Sequence, residues 1–441
     1  MTVVVLGGGA TGEAFLAALR RLDSEVPIAL VERELVGGEC SYWACIPSKT
    51  LLRPLEVLHR ARLAPGAAEA IGQVDVQRVC WWRDQVAEKD DESQAKWVRE
   101  LDVELVRGTG VVAEPGRIRV GERDIEYEKL LIATGSVPVA PPIEGLGELD
   151  YWTSREATSA SEVPERLIVL GGGAVGCELA QFYARIGSHV TLVQNGDHLL
   201  PRVDQEAADL LADALRDDGV ELRLGAKATA VEGSSNGYKL QLGGADPVEG
   251  THLLVATGRR PNAHEFGFEQ LGVEIKKEGI RTDECMRAGD GVWGAGDVTG
   301  IALFTHVGKY QGRIAAANMA GRELRADYKA IPSAVFTDPQ VASVGDLSPD
   351  GAVVSSYTLE KISRTATFQR PKRPGLVKLF ADPRRGVLVG AVAVGPEAGE
   401  WIGQLTLAIR AEIPVEVLRD TIQPFPTFSE AIFFALRDLE V

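Results

Sequence analysis

No apolar run in this sequence approaches the ~18–20 residues that a membrane-crossing helix needs, so no such span is expected. Positive charge is in the minority. Against 63 Asp and Glu stand 47 Lys and Arg, a formal net charge of −16, which argues against nucleic acid or an anionic membrane as a general partner. The start of the chain lacks the layout of a signal peptide, because "TVVVLGGGATG" enters a buried strand almost at once, and a cytoplasmic location is expected. Cysteine is scarce too. The five, at positions 40, 45, 80, 177 and 285, form no secreted disulfide framework. In a reducing compartment a close pair is more often catalytic than structural. Low-complexity segments and short-period repeats are also missing. What remains is an ordinary globular composition, 45% hydrophobic and 25% charged, with 441 residues for roughly three domains.

The segment "VVVLGGGATGEAFLAALRR" reads as an apolar strand, a glycine turn and a helix with apolar residues at helical spacing. Gly7, Gly9 and Gly12 fit G-x-G-x-x-G, whose glycines let a pyrophosphate sit on the helix N-terminus. Glu32 closes the next apolar strand, about 20 residues on, where a carboxylate can accept hydrogen bonds from the adenosine ribose. The pattern recurs at "RLIVLGGGAVGCELAQFYARIGSHVTLVQNG", with Gly171, Gly173 and Gly176 in the turn and Gln194 in place of the acid. Two intact turns suggest two different dinucleotides, one passing electrons to the other. The competing reading of the second is a degenerate structural repeat.

Between the two units, "YEKLLIATGSVPVAPPIEG" reads as a strand ending in Ala133-Thr134-Gly135 and then a Pro-rich linker. A similar strand end, "THLLVATGRRPN", closes the second unit. Further on, "GVWGAGDVTGIALFTHVGKYQGRIAAANMAG" reads as a strand, Asp297 and a helix. Asp297 is a candidate acceptor for a polyol hydroxyl, or else a helix-capping acid. The last 110 or so residues read as antiparallel strands followed by a helix, a separate α+β domain without a phosphate turn. The stretch "GGECSYWACIPSKT" holds Cys40 and Cys45 with four residues between them. A redox pair, metal ligands and a spacing accident are all open for these two. No second pair with metal-ligand spacing occurs in the sequence.

Taken together, "GGGATG", "GGECSYWACIPSK", "IATGSVP", "GGGAVGCELA", "ATGRRPN", "GAGD" and "VFTDPQVASVG" resemble the pyridine nucleotide-disulfide oxidoreductases, in order and over essentially the whole chain. The resemblance implies an α/β fold with two Rossmann-like dinucleotide-binding domains, for FAD and NAD(P), and a C-terminal α+β dimerisation domain. The boundaries expected are 1–148 for the FAD domain, 149–262 for the NAD(P) domain, 263–328 for a segment completing the FAD domain, and 329–441 for dimerisation. It implies a homodimeric enzyme that moves electrons from NAD(P)H through FAD to a Cys40–Cys45 disulfide and on to a small-molecule acceptor. Cys45 would form a charge-transfer contact with the flavin and Cys40 would meet substrate. Lys49 would lie by the flavin and pair with Glu178. Thr134, Gly135 and Asp297 join the glycines, Glu32 and Lys49 as expected cofactor contacts, and no metal is implied. Physical chemistry supports the cysteine roles, since a helix beginning near Pro47 places Cys45 at its N-terminus, where a thiolate is stabilised.

One departure stands out. The family ends in His-Pro-x-x-x-Glu, which reaches the partner subunit's active site, whereas "IQPFPTFSE" keeps Pro426 and Glu430 but has Phe425 where the histidine belongs. A phenylalanine there is similar to 2-ketopropyl coenzyme M oxidoreductase/carboxylase, although that enzyme has a histidine where Glu430 stands. No cysteine follows Cys285, so the C-terminal pair of mercuric reductase is missing. Readings left open are a quinone or metal-ion reductase, a carboxylase-like enzyme, and a flavoprotein redox sensor with little turnover. Gln194 and Asn195 supply neither an acid for ribose hydroxyls nor a cation for a 2′-phosphate, so modest discrimination leaning to NADH is expected.

Overall fold

The computed structural model describes residues 2–234, 237–368 and 375–441. The chain divides into two compact units. Met1–Pro47, Arg83–Val139 and Gly258–Asp327 form one, and Ser48–Trp82, Ala140–Thr257 and Tyr328–Val441 form the other.

The first unit is built on a six-stranded sheet in the order Arg287–Gly289, Val292–Gly294, Lys129–Ile132, Val3–Leu6, Ile28–Glu32, Val103–Arg107. All neighbours run parallel except the edge strand Arg287–Gly289. Val3–Leu6 is buried along its whole length, which is why it reads as a continuous apolar run and not an alternating one. Helix Ala10–Leu22 packs on helix Thr305–Met319. Small residues permit this approach: a Cβ on Gly308 would lie 2.2 Å from Thr11 Oγ1, and one on Gly312 2.7 Å from the Thr11 carbonyl. A three-stranded antiparallel sheet, Gly110–Glu114, Arg117–Val120 and Arg123–Glu126, and two antiparallel strand pairs, Ser136–Pro138 with Arg259–Pro261 and Ile275–Lys276 with Gly279–Ile280, also belong to this unit.

The second unit holds two sheet systems. A parallel sheet runs Glu221–Arg223, His189–Val193, Arg166–Leu170, His252–Val255, with helix Ala174–Arg185 following its third strand, and a three-stranded antiparallel sheet accompanies it. The C-terminal part is a five-stranded antiparallel sheet in the order Pro332–Val335, Gln340–Gly345, Val387–Gly395, Leu376–Asp382, Val353–Thr358. One face, through Val344, Leu379 and Ala391, packs on helices Ala398–Arg410 and Glu430–Arg437. The other, through Val341, Phe380 and Val392, joins a core with Leu211 and Leu215 of helix Gln205–Asp217. Burial on both faces explains the nearly unbroken apolar text of "VLVGAVAVG". Among the described residues, no helix is long and apolar enough to cross a membrane.

Candidate active site

The two glycine turns have the same construction. Gly7 and Gly171 adopt φ of +107° and +113°, in the region that favours glycine. A Cβ on either would lie 2.3 or 2.5 Å from the carbonyl of Ala133 or Ala256 on the neighbouring strand. At Gly12 and Gly176 a Cβ would press on the carbonyl of Gly7 or Gly171, at 2.2 and 1.9 Å. Those four glycines are demanded by the protein itself. Gly9 and Gly173, the N-caps of helices Ala10–Leu22 and Ala174–Arg185, are different. A Cβ on Gly9 would meet nothing closer than 3.9 Å, and one on Gly173 nothing within 4 Å. At these two positions the packing leaves a cradle that a side chain would fill, at a helix N-terminus suited to a pyrophosphate.

The residue ending the second strand of each unit is tied to its own turn. The Gly8 N–H donates to Glu32 Oε2 at 2.7 Å, and the Glu34 N–H to Oε1 at 2.8 Å. Correspondingly, the Gly172 N–H donates to Gln194 Oε1 at 3.0 Å. The substitution of an amide for an acid therefore keeps the contact to the turn and leaves Nε2 as a donor.

Asp297 begins a short 3-10 turn, Asp297–Thr299, and the helix expected directly after it starts only at Thr305, with Phe304 as N-cap. It does not cap that helix, which removes the capping reading. Its Oδ2 accepts the Ser136 hydroxyl at 2.7 Å, and Ser136 in turn receives Arg259 on both Oγ and its carbonyl, each at 2.8 Å. Arg259 also pairs with Glu39 at 3.4 Å. Burial holds the Asp297 carboxyl above its ordinary range; Ser136 and Arg259 pull it back and Glu39 pushes the same way as burial. Thr134 donates to the Asn262 carbonyl at 2.6 Å, and Gly135 accepts from the Asn262 N–H at 2.9 Å. Ser136, Arg259 and Glu39 were not singled out in the sequence, although the repeated Ala-Thr-Gly strand ends were the signal that could have found the first two.

Cys40 lies in the short helix Gly38–Tyr42 and Cys45 is the first residue of helix Cys45–Arg62. Both are half-buried thiols, and neither is in a disulfide. Cys40 is pushed well above the ordinary thiol range, first by its hydrogen bond to Cys45, then by burial and by charge on Cys45; the Thr305 hydroxyl and the Lys309 cation oppose this. The Cys45 sulfur is hydrogen-bonded to Thr305 Oγ1 at 3.4 Å. Among the described residues, no cluster of three or more His, Cys, Asp or Glu could hold a metal ion.

In the second unit Lys49 Nζ donates to both oxygens of Glu178, at 3.0 and 2.7 Å. Glu178 is buried and also accepts the Phe336 N–H at 2.9 Å, while the Phe336 ring lies 4.8 Å from the ammonium. Two groups, through three hydrogen bonds, thus satisfy a carboxylate that would be costly to bury alone. Phe336 was legible only as part of a motif. At the C-terminal end, Phe425 is 72% exposed and nearby Ile422 is 95% exposed. Glu430 opens the last helix, with one carboxylate oxygen buried and without a hydrogen-bond partner among the described residues.

Residues 1–323 match the family described as "Pyridine nucleotide-disulphide oxidoreductase", and residues 331–435 match the dimerisation domain of the same family. The chain belongs to the pyridine nucleotide-disulphide oxidoreductases. A mercuric reductase of Acidithiobacillus ferrooxidans is 35% identical, over 98% of this chain and 81% of its own length. A dihydrolipoyl dehydrogenase of Thermus scotoductus is also 35% identical, over 99% and 97%. Among solved structures, LpdA of Mycobacterium tuberculosis superposes with a TM-score of 0.87 at 28% identity over 99% of both chains. The HOCl-induced flavoprotein disulfide reductase RclA of Escherichia coli gives 0.86 at 26%, covering 100% of this chain and 99% of that one.

As a pyridine nucleotide-disulphide oxidoreductase the protein is an enzyme of a family that uses FAD and NAD(P)H. The two cradles at Gly9 and Gly173 fit two dinucleotides. The neutral Gln194 sets one expectation. Lacking an acid or a cation there, kcat/KM for NADH is expected to exceed that for NADPH by less than about tenfold, because one neutral hydrogen bond contributes about 1 kcal/mol. Initial rates with each nucleotide check this; an NADPH preference above about a hundredfold would overturn it.

Proposed function

We propose that the enzyme passes electron pairs from NAD(P)H to the Cys40–Cys45 pair and from there to a small-molecule acceptor, without acid–base help from residue 425. The hydrogen-bonded thiol pair carries this reading. FAD would be held by Gly7, Gly9, Gly12, Glu32, Thr134, Gly135 and Asp297, with Lys49 beside it, and the nicotinamide nucleotide by Gly171, Gly173, Gly176 and Gln194. Bound FAD supplies a carrier that relays the electron pair of a hydride. The four-segment division 1–148, 149–262, 263–328 and 329–441 follows the same assignment. A homodimer is supported by the dimerisation domain and by the exposed Leu407, Ile422 and Phe425 within it.

The balance is closed by the cysteines themselves. A hydride brings two electrons and one proton, the S–S bond breaks, and one thiol and one thiolate result. The hydrogen bond to Cys45 first, then burial and charge on Cys45, keep the proton on Cys40. Returning the pair to the disulfide releases two electrons and one proton to the acceptor. A protic disulfide acceptor needs that proton delivered to its leaving sulfur, which Phe425 cannot do. Acceptors with no such leaving group are therefore favoured. A thiophilic metal ion is one, since two adjacent thiols offer it a pair of sulfur ligands. That reading is also supported by the relatives named mercuric reductase and by a Cu(II) complex of RclA.

NAD(P)H oxidation against a panel of lipoamide, glutathione disulfide, quinones, Cu(II), Hg(II) and oxygen tests the proposal. Turnover is expected with at least one quinone or metal ion and is expected to be slow with both disulfides. Turnover below about one per minute with every acceptor, far under usual enzyme rates, would instead indicate a redox sensor.

A further inference from the structure

Side chains of the first unit form a run of polar contacts that ends on Asp297. The strands Ser136–Pro138 and Arg259–Pro261 pair antiparallel, and bonds between Thr134 and Asn262 tie the same two segments together. This pairing lays the Arg259 guanidinium along Ser136, where Nε donates to Oγ and Nη2 to the carbonyl, both at 2.8 Å. A guanidinium can only donate. The Ser136 oxygen therefore accepts from it, and its single hydroxyl proton goes to Asp297 Oδ2 at 2.7 Å. A carboxylate holding that bond keeps acceptor capacity for a ligand hydroxyl. Arg259 Nη1 donates in turn to Glu39 Oε1 at 3.4 Å, in the short helix that carries Cys40. One cation thus serves two carboxylates.

We propose that Arg259 and Ser136 are positioning residues for the flavin nucleotide: they fix Asp297 as the acceptor for a hydroxyl of FAD, and Arg259 is the shared counter-charge that lets Asp297 and Glu39 coexist. The groups acting on Asp297 are Ser136, Arg259 and Glu39. Burial, and with it Glu39, favours the neutral acid, while Ser136 and Arg259 favour the carboxylate. Without Arg259 the balance tips toward the neutral form, and nothing dictates where the Ser136 proton points. A carboxyl displaced upward loses its charge as pH falls, and with it the stronger, charge-assisted bond to a hydroxyl. The inference rests on the reading of Asp297 as an FAD contact.

Equilibrium dialysis of the holoenzyme at about pH 6 and about pH 8, with released FAD read by its fluorescence, tests it. In wild type the two dissociation constants are expected to agree within about twofold. Arg259→Met is expected to hold FAD about tenfold more weakly at the lower pH than at the higher, the usual effect of losing a hydrogen bond to a charged group. Arg259→Lys, which keeps the cation, should show the wild-type ratio. Adding Glu39→Gln to Arg259→Met removes the second acid and should bring the ratio back to about twofold. Equal weakening at both pH values in Arg259→Met, or a ratio that Glu39→Gln leaves unchanged, would overturn the proposal, because a lost structural contact carries no such pH dependence. The underlying reading is checked separately by Asp297→Asn, expected to weaken FAD by about tenfold at the higher pH. Unchanged affinity in that variant would refute the placing of FAD at Asp297 itself, and the proposal with it.

Discussion

Phe425→His is expected to raise turnover of lipoamide or glutathione disulfide by about 10²-fold or more, the usual worth of a positioned general acid and base. When a thiolate attacks a disulfide, the departing sulfur needs a proton and the attacking thiol must lose one. An imidazole titrates near neutrality and performs both steps, while a phenyl ring performs neither. Phe425 is exposed on the single chain, so the substitution creates no cavity in its core. Reduction by NAD(P)H is expected to stay within about twofold of wild type, because a hydride brings its own proton. Stopped-flow separates the two half-reactions. The competing possibility is that Glu430 or His306 moves the proton and Phe425 only packs a subunit interface. The unpartnered, buried oxygen of Glu430 makes that a real alternative. Fast wild-type turnover of either disulfide, with no gain from histidine, would establish it.

The largest loss is expected from Cys45→Ser. A serine hydroxyl can neither form the disulfide nor hold charge beside Cys40, so turnover with thiol-dependent acceptors should fall on the order of 10³-fold or more. Acceptors that draw electrons directly from flavin should lose little. The contrast assigns each acceptor in the panel to one of two exits, and loss with all of them equally would point to damage at the cofactor.

The parts of the molecule legible in the sequence are those fixed by backbone geometry. Gly7, Gly12, Gly171 and Gly176 leave a fixed-spacing trace because a Cβ at each would strike a carbonyl. Long-range side-chain partnerships leave no such trace. Lys49 and Glu178 are 129 residues apart and could be paired only through resemblance to a family. Thr305 looks like any polar residue opening a helix, and nothing local says that its hydroxyl meets a cysteine 260 residues away. Asp297 was legible as an acid before a helix, but an intervening turn moves the helix start to Thr305 and frees the carboxylate for Ser136. Phe425 is the reverse case. Sequence shows a phenylalanine before Pro426 plainly, while what it does depends on chemistry that no local pattern carries.

Anaerobic titration with NADH tests the central claim, that Cys40 and Cys45 form a redox pair in series with the flavin. Wild-type enzyme is expected to consume about two equivalents per subunit, one for the flavin and one for the disulfide, while Cys45→Ser and Cys40→Ser each consume about one. Equal consumption by wild type and both variants would contradict it.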